Sequence, residues 1–193
     1  MKTDYTDNKN IPLVNDVTSE NNIGETAFVF ENFIVRSTNR LAHAVSLAVA
    51  ENADIVYNPL TIYGPSGVGK THLVLAIKNR ISSKYSYKKT GFISGKEITN
   101  QMIKSSNEGK CSIADILNRY RNVEVLIIDD FHLIADNQAV QKEIRNILDD
   151  LYHNNKQIIV TLDRPIEKVK TLDDRIKTCL LDGVIADIEP WDL

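Results

Sequence analysis

Short apolar runs alternate along the chain with longer segments whose apolar residues recur every three or four positions. Such runs are typical of strands buried in a parallel sheet, and such segments are typical of helices that cover it. The predicted strands are residues 60–63, 90–93, 123–128, 157–162 and 184–188. The predicted helices begin after Ser37 and Thr38, after the glycines at 64–69, after Ser94, and near residues 113, 140 and 173. Strands that alternate with helices predict a three-layer α/β domain with a mostly parallel, five-stranded sheet.

The segment before Phe28 has no helical or strand periodicity and is rich in Asn, Asp and Thr. We therefore expect residues 1–27 to be a tail or linker and residues 28–193 to form one domain. The N-terminus lacks the apolar core of a secretory signal, and no apolar stretch approaches the ~20 residues of a membrane span. With only two distant cysteines, Cys111 and Cys179, we expect neither a disulfide framework nor a membrane partner, and a cytoplasmic location.

The net charge of −3 excludes a protein whose whole surface is built for nucleic acid. Lys78 to Lys110 is the exception, since it holds eight basic residues against two acidic ones. Tyr85, Tyr87 and Phe92 are interleaved with these charges, a combination that suits single-stranded DNA. Lys88, Lys89 and Lys96 are the candidate contacts. The alternative is a solvated helix face and loop.

A glycine-rich segment follows the first predicted strand and opens a helix. It matches the G-x-x-x-x-G-K-[ST] pattern in full, in the context that this phosphate loop requires. Its backbone N–H groups can turn toward a polyphosphate, its lysine can reach the β- and γ-phosphates, and its threonine hydroxyl can ligate Mg²⁺. ATP or ADP with Mg²⁺ is therefore the expected ligand, and a glycine turn without a ligand is the alternative. The candidate nucleotide-binding residues are Gly64, Pro65, Ser66, Gly67, Val68, Gly69, Lys70 and Thr71.

Two aspartates end the most apolar predicted strand. In phosphate-loop proteins a carboxylate at such a place meets Mg²⁺ across the loop. We expect Asp129, with Thr71, to hold the metal, and Asp130 to orient or deprotonate an attacking water. An acidic strand end that faces solvent is the alternative. His72 and His132 have no second ligand at metal spacing, so we expect both to be structural.

Several blocks, in the same order, resemble the bacterial chromosomal replication initiator family DnaA, whose ATPase domains are of the AAA+ class. The resemblance runs from about Phe28 to the C-terminus and is far more specific than a phosphate loop alone. The blocks are residues 28–35 (FVFENFIV), 39–44 (NRLAHA), 57–60 (YNPL), 67–73 (GVGKTHL), 119–123 (RYRNV), 126–130 (LIIDD), 156–160 (KQIIV) and 163–165 (DRP).

The resemblance implies roles for several further residues. Val35 and Asn39 would lie by the adenine and ribose, and Asp163 would be the sensor that follows a strand. Arg175 would be the basic residue of the last shared block. The helices between Ser94 and Arg121 would be the initiator-specific insertion, where the family meets single-stranded DNA and its neighbours in a filament.

The chain departs from the family in four places. Cys179 stands where the family has an arginine finger for the neighbour's γ-phosphate, and a neutral thiol cannot supply that charge. Residues 136–140 replace a Gly-Lys-Glu-Arg-Thr-like run that touches DNA, and Arg36 replaces a glycine. The chain stops at Leu193, so the helical lid subdomain and the duplex-reading domain are expected to be absent, in either a piece of a longer protein or a short relative.

Three functions compete on these grounds. The first is a DnaA-like protein of replication initiation that binds ATP and Mg²⁺, hydrolyses ATP slowly if at all, and assembles with further copies. The second is an accessory paralogue that binds nucleotide and docks on the initiator or on a helicase loader without assembling on origin DNA. The third is a phosphate-loop kinase, against which the aspartate pair and Asp163-Arg164-Pro165 argue.

Overall fold

The structure is a computed structural model that describes residues 28–52, 54–108 and 112–190. The predicted tail at 1–27, a helix end predicted at Gly109, Cys111 and the last three residues lie outside this range. The helices are α1 (Arg40–Glu51), α2 (Lys70–Lys84), α3 (Gly95–Glu108), α4 (Ile113–Asn118), α5 (Gln138–His153) and α6 (Asp174–Leu181). The strands are β1 (Leu60–Tyr63), β2 (Thr90–Ser94), β3 (Val125–Asp129), β4 (Gln157–Leu162) and β5 (Val184–Asp187).

The five strands form one sheet in the order β2-β3-β4-β1-β5, and every neighbouring pair is parallel. The predicted parallel α/β sheet is confirmed. In this order β4 lies between β1 and β3, with Tyr63 opposite Leu162 and Ile128 opposite Val160. The carboxyl ends of β1, β4 and β3 therefore meet at one edge, where the phosphate loop and the aspartates follow.

Each strand contributes side chains to both faces of the sheet, as the apolar runs predict. In β3, Val125 and Ile127 belong to a buried cluster with α1 and α2, whereas Leu126 and Ile128 belong to a second cluster with α5 and α6. All five residues of β3 are buried. The sheet is thus the middle of three layers, and burial on both faces explains why no polar alternation marks this strand.

Polar side chains define where most helices begin. Ser94 Oγ accepts a hydrogen bond from the backbone N–H of Glu97, as predicted from their spacing, over 3.0 Å. The helix predicted after Ser37 and Thr38 is present as α1, but the predicted cap is wrong, because the N-cap is Asn39. The Asn39 side chain makes no cap bond and instead holds the preceding chain, donating to Ile34 O and accepting from Arg36 N. Hydrogen bonds to the preceding residues thus replace side-chain capping of α1.

The turn between α6 and β5 depends on a glycine. A Cβ at Gly183 would lie 1.9 Å from the carbonyl oxygen of Pro59 and 2.5 Å from its nitrogen. Both are backbone atoms next to β1, so no flexible side-chain end can yield. We expect Gly183→Ala to lower the free energy of unfolding by about 2 kcal/mol or more, which a thermal melt shows as a drop of roughly 4–8 °C. An unchanged melting temperature would mean that this turn is looser than the structure shows.

Candidate nucleotide site

The phosphate loop joins β1 to α2 in a conformation that its glycines permit. Gly69, the N-cap of α2, has φ of 104°, a value that residues with a side chain rarely adopt. Gly64 is required for space, since a Cβ there would lie 2.3 Å from the carbonyl oxygen of Ile188. The loop is therefore wedged between the end of β5 and the start of α2, and its N–H groups lie at a helix N-terminus.

Lys70 folds back over the loop that precedes it. Its side chain is buried, and Nζ donates to the carbonyl oxygens of Gly64 at 2.7 Å and Pro65 at 2.8 Å. Because a buried ammonium needs several partners, these two bonds keep the cation at the mouth of the loop. A third donor position of the ammonium is left for an anion that enters the loop.

Thr71 and Asp129 meet across the sheet edge, as the sequence predicts. Thr71 Oγ1 donates to Asp129 Oδ2 at 2.7 Å, and Thr161 Oγ1 donates to Asp129 Oδ1 at 2.5 Å. Asp129 is 4% exposed, so both of its oxygens are held by hydroxyls in a nearly dry place. A hydroxyl and a carboxylate at this spacing are oxygen donors of the kind that Mg²⁺ prefers, usually together with phosphate oxygens and water.

Asp130 leaves β3 in a left-handed conformation, with φ of 50°. Its backbone N–H donates to Thr161 Oγ1 at 2.8 Å, so one hydroxyl holds both aspartates. Thr161 was not among the residues predicted from the sequence. In the sequence, Thr161 is a lone hydroxyl residue in the otherwise apolar end of β4. Only the pairing of β4 with β3 shows what this hydroxyl contacts.

Asp163 lies just beyond β4, on the same sheet edge. Its carboxylate accepts from Nε of Arg164 at 2.8 Å and from a second nitrogen of the same guanidinium. Nδ1 of His132 lies 3.7 Å from Oδ1 of Asp163. The hydrogen bonds from Arg164, and then the nearby His132, hold the pKa of Asp163 below its usual range despite partial burial. Asp163 is thus an ionised carboxylate beside the β3 aspartates.

The segment of residues 34–39, which we call the base arm, precedes α1. Val35 is 45% exposed, whereas Asn39 is 4% exposed and its side-chain amide makes hydrogen bonds within the arm, as described above. Asn39 therefore shapes the arm, and Val35 is the accessible member of the predicted pair. Arg175 is exposed in the first turn of α6. Within the described residues, no hydrogen bond joins Arg175 to Thr71, Asp129 or Asp163.

Cys179 is half-buried on α6. Burial, with the carboxylates of Asp149 and Asp182 nearby, raises the pKa of its thiol to about 11. A buried neutral thiol beside two carboxylates offers no charge to a neighbouring phosphate. The position at which the resemblance expects an arginine is thus chemically inert in this chain.

The raised pKa of Cys179 predicts slow alkylation. In a Cys111→Ser variant, which leaves one thiol, iodoacetamide at pH 8 should react about 100-fold more slowly with the folded chain than with the chain in urea. The cause is that the thiolate fraction falls about tenfold for each unit by which the pKa rises. The folded rate should climb as pH increases toward 10. Equal rates for the folded and unfolded chain would contradict the burial of Cys179.

The predicted basic patch is divided by the fold. Lys88 and Lys89 precede β2 and Lys96 follows it, so they lie at opposite ends of a strand that rises about 3.3 Å per residue. The three candidate contacts therefore form two groups separated by the length of β2, and their contact with single-stranded DNA stays a prediction. Near the first group, the ammonium groups of Lys84 and Lys88 each lie 5.4 Å from the ring centre of Tyr85, and Tyr87 is 74% exposed. Lys96 lies instead on the sheet edge that carries the phosphate loop.

Two other kinds of feature are absent from the described residues. No helix among them is long and apolar enough to cross a membrane. Nor do residues 28–52, 54–108 and 112–190 contain a group of three or more His, Cys, Asp or Glu side chains arranged for a metal. The Thr71–Asp129 pair supplies one hydroxyl and one carboxylate, so phosphates and water would supply the remaining ligands of Mg²⁺.

Several known proteins are similar to this chain in sequence and in fold. The family model of the bacterial DnaA ATPase domain matches residues 25–187. The chromosomal replication initiator protein DnaA of Caldanaerobacter subterraneus is 39% identical over 165 residues, which are 86% of this chain and 37% of that protein. The AMPPCP-bound DnaA of Aquifex aeolicus has a TM-score of 0.75 at 32% identity, over 84% of this chain and 50% of that one.

A structure of the replication initiator DnaA bound to AMPPCP and single-stranded DNA also has a TM-score of 0.75 at 32% identity, over 85% of this chain and 50% of that one. The chain therefore spans half or less of the length of these relatives. With a family model matched across 25–187 and the strand order described above, the chain belongs to the bacterial DnaA ATPase-domain family.

Proposed function

We propose that this chain is a DnaA-like ATP-binding protein that acts in the initiation of bacterial DNA replication. The observation that carries the proposal is the Thr71–Asp129 contact of 2.7 Å, which joins a complete phosphate loop to the end of β3. The DnaA relatives with this fold bind AMPPCP, an ATP analogue. The proposed ligands are ATP or ADP, with the phosphates in the loop from Gly64 to Thr71 and the base beside Val35.

Mg²⁺ fits the donors that the chain presents. Thr71 Oγ1 would ligate the ion directly while its hydroxyl still donates to Asp129 Oδ2, and Asp129 would hold metal-bound water. When bound, Mg²⁺ would neutralise charge on the β- and γ-phosphates. Thr161 keeps the Asp129 carboxylate in one orientation through its 2.5 Å hydrogen bond.

Hydrolysis would rest on residues next to this group. Asp130, held by Thr161 through its backbone, is the proposed residue that orients or deprotonates the attacking water. Asp163, ionised and fixed by Arg164, is the proposed sensor of the γ-phosphate through that water. Arg175, on α6, is the proposed basic contact to phosphate and would need to approach the site when nucleotide binds. We expect turnover to be slow.

A specific observation favours a second candidate, the accessory paralogue. Cys179 is half-buried and neutral where an arginine finger would act in a neighbour's site. Removal of such a finger costs several orders of magnitude in turnover in phosphate-loop enzymes. A chain of this kind would bind nucleotide and dock on an initiator or a helicase loader without driving assembly on origin DNA.

Single-stranded DNA is a proposed partner of the first candidate, because one DnaA relative binds it. The divided patch changes how it would bind. Lys96 begins α3 on the nucleotide edge, in the predicted insertion, whereas Lys88 and Lys89 lie beyond the other end of β2. Charge reversal at Lys96 alone is therefore expected to weaken retention of a labelled strand at low salt, and reversal at Lys88 and Lys89 tests a separate contact.

Light scattering of the purified chain distinguishes the candidates. The solution mass would be measured with a non-hydrolysable ATP analogue and Mg²⁺, then with ADP, each with and without single-stranded DNA. Mass that grows only with the ATP analogue supports an assembling initiator. A monomer that nonetheless binds nucleotide supports the accessory candidate. A chain that binds neither ATP nor ADP would overturn both.

A further inference from the structure

A phenylalanine outside the phosphate loop packs directly on the loop's last glycine. A Cβ at Gly69 would lie 2.8 Å from Cε2 of Phe33 and 3.5 Å from its Cζ. Phe33 is the residue immediately before the base arm. The ring therefore touches the phosphate-binding segment on one side while its backbone continues into the base-binding segment.

Two histidines hold this ring. His43 of α1 stacks on Phe33 with ring centres 5.7 Å apart and an angle of 14° between the planes. His72, three residues after Gly69 on α2, meets the same ring edge-on at 5.3 Å and 61°. Such ring pairs are directional contacts as well as buried area. Phe33, His43 and His72 are called the Phe33 cluster below.

His72 also anchors the chain that leads to Phe33. Its Nε2 lies 2.9 Å from the carbonyl oxygen of Val29, and its ring meets Phe28 edge-on at 5.4 Å. One side chain of the phosphate-loop helix thus fixes residues 28–33 at two points. His72, expected from sequence only to be structural, therefore lies between the two halves of the nucleotide site.

We propose that the Phe33 cluster sets the position of the base arm relative to the phosphate loop and so decides how strongly the site prefers ATP to bare inorganic triphosphate. Phe33 and His72 are positioning residues, since they act through Val35 and Gly69 rather than on the nucleotide. The inference rests on the proposed function, because it needs a nucleotide in this site.

The test compares two ligands, ATP and inorganic triphosphate, each with Mg²⁺, by isothermal titration calorimetry. Triphosphate uses the phosphate loop alone, whereas ATP also uses the base arm. Phe33→Leu should weaken ATP binding about tenfold and change triphosphate binding less than twofold. Phe33→Tyr, which keeps the ring, should retain the preference for ATP. His72→Ala should reproduce the effect of Phe33→Leu.

Phe92→Leu is the matched control. It makes the same substitution at a partly buried ring that packs on the same core cluster as Phe33 but lies on β2, outside the Phe33 cluster, so the ratio of the two affinities should stay unchanged. Circular dichroism verifies that each variant is folded before its affinities are compared. Equal weakening of both ligands in Phe33→Leu, or no weakening of either, would overturn the inference while leaving the ATP site in place. A wild-type chain that binds neither ligand would instead overturn the proposed function, and the inference with it.

Discussion

Lys70→Ala is expected to weaken binding of ATP at least 100-fold. The lysine ammonium is buried at the mouth of the loop, where two carbonyl oxygens aim it at the place where phosphates would lie. A charge-assisted hydrogen bond in such a place is worth up to about 3 kcal/mol, so loss of the one bond that the remaining donor can make to a phosphate accounts for the expected factor. Equilibrium titration with fluorescent ATP gives the affinity directly.

Lys142→Ala is the control for this variant, because Lys142 is an exposed lysine on α5, away from the loop. It should bind ATP as the wild type does. Because Lys70 is buried, circular dichroism is needed to establish that Lys70→Ala is folded. A folded Lys70→Ala variant that binds ATP with wild-type affinity would show that the phosphates do not lie in this loop.

Asp129→Asn is expected to abolish the effect of Mg²⁺ on ATP affinity. The carboxylate accepts hydrogen bonds from Thr71 and Thr161, and a neutral amide cannot accept at both atoms or hold a metal-bound water as strongly. We expect the wild type to bind ATP about tenfold more tightly in Mg²⁺ than in EDTA, and the variant to bind equally in both. Titration under the two conditions measures this ratio.

The matched control for this second variant is Asp54→Asn, since Asp54 is exposed and lies in the connection that precedes β1, away from the loop edge. It should keep the wild-type response to Mg²⁺. If Asp129→Asn also kept that response, the metal would be held elsewhere and the proposed role of Asp129 would be lost.

The local features of the nucleotide site were predictable from the sequence. The phosphate loop is a contiguous motif with a fixed backbone requirement, and the bounds of β1 and β4 were predicted without error. The position of Asp129 at the sheet edge was predicted because this residue comes at the end of an apolar strand. Each of these inferences depends on periodicity or on neighbours in the chain.

Contacts between distant segments were not predictable in this way. Thr161 meets Asp129 only because β4 pairs with β3, and Phe33 meets Gly69 only because residues 28–33 pack on α2. Strand order arises from crossovers whose direction no local pattern records. Closeness in sequence also does not give closeness in space, since Lys89 and Lys96 are near in sequence but are separated by the whole length of β2.

The roles proposed for these residues all depend on the binding of ATP through the phosphate loop. Isothermal titration calorimetry of the wild-type chain with ATP in Mg²⁺, repeated on Lys70→Ala, tests it most directly. We expect one ATP to bind per wild-type chain and no measurable binding by the folded variant. Absence of binding by the wild type at millimolar ATP, or equal binding by both chains, would contradict it.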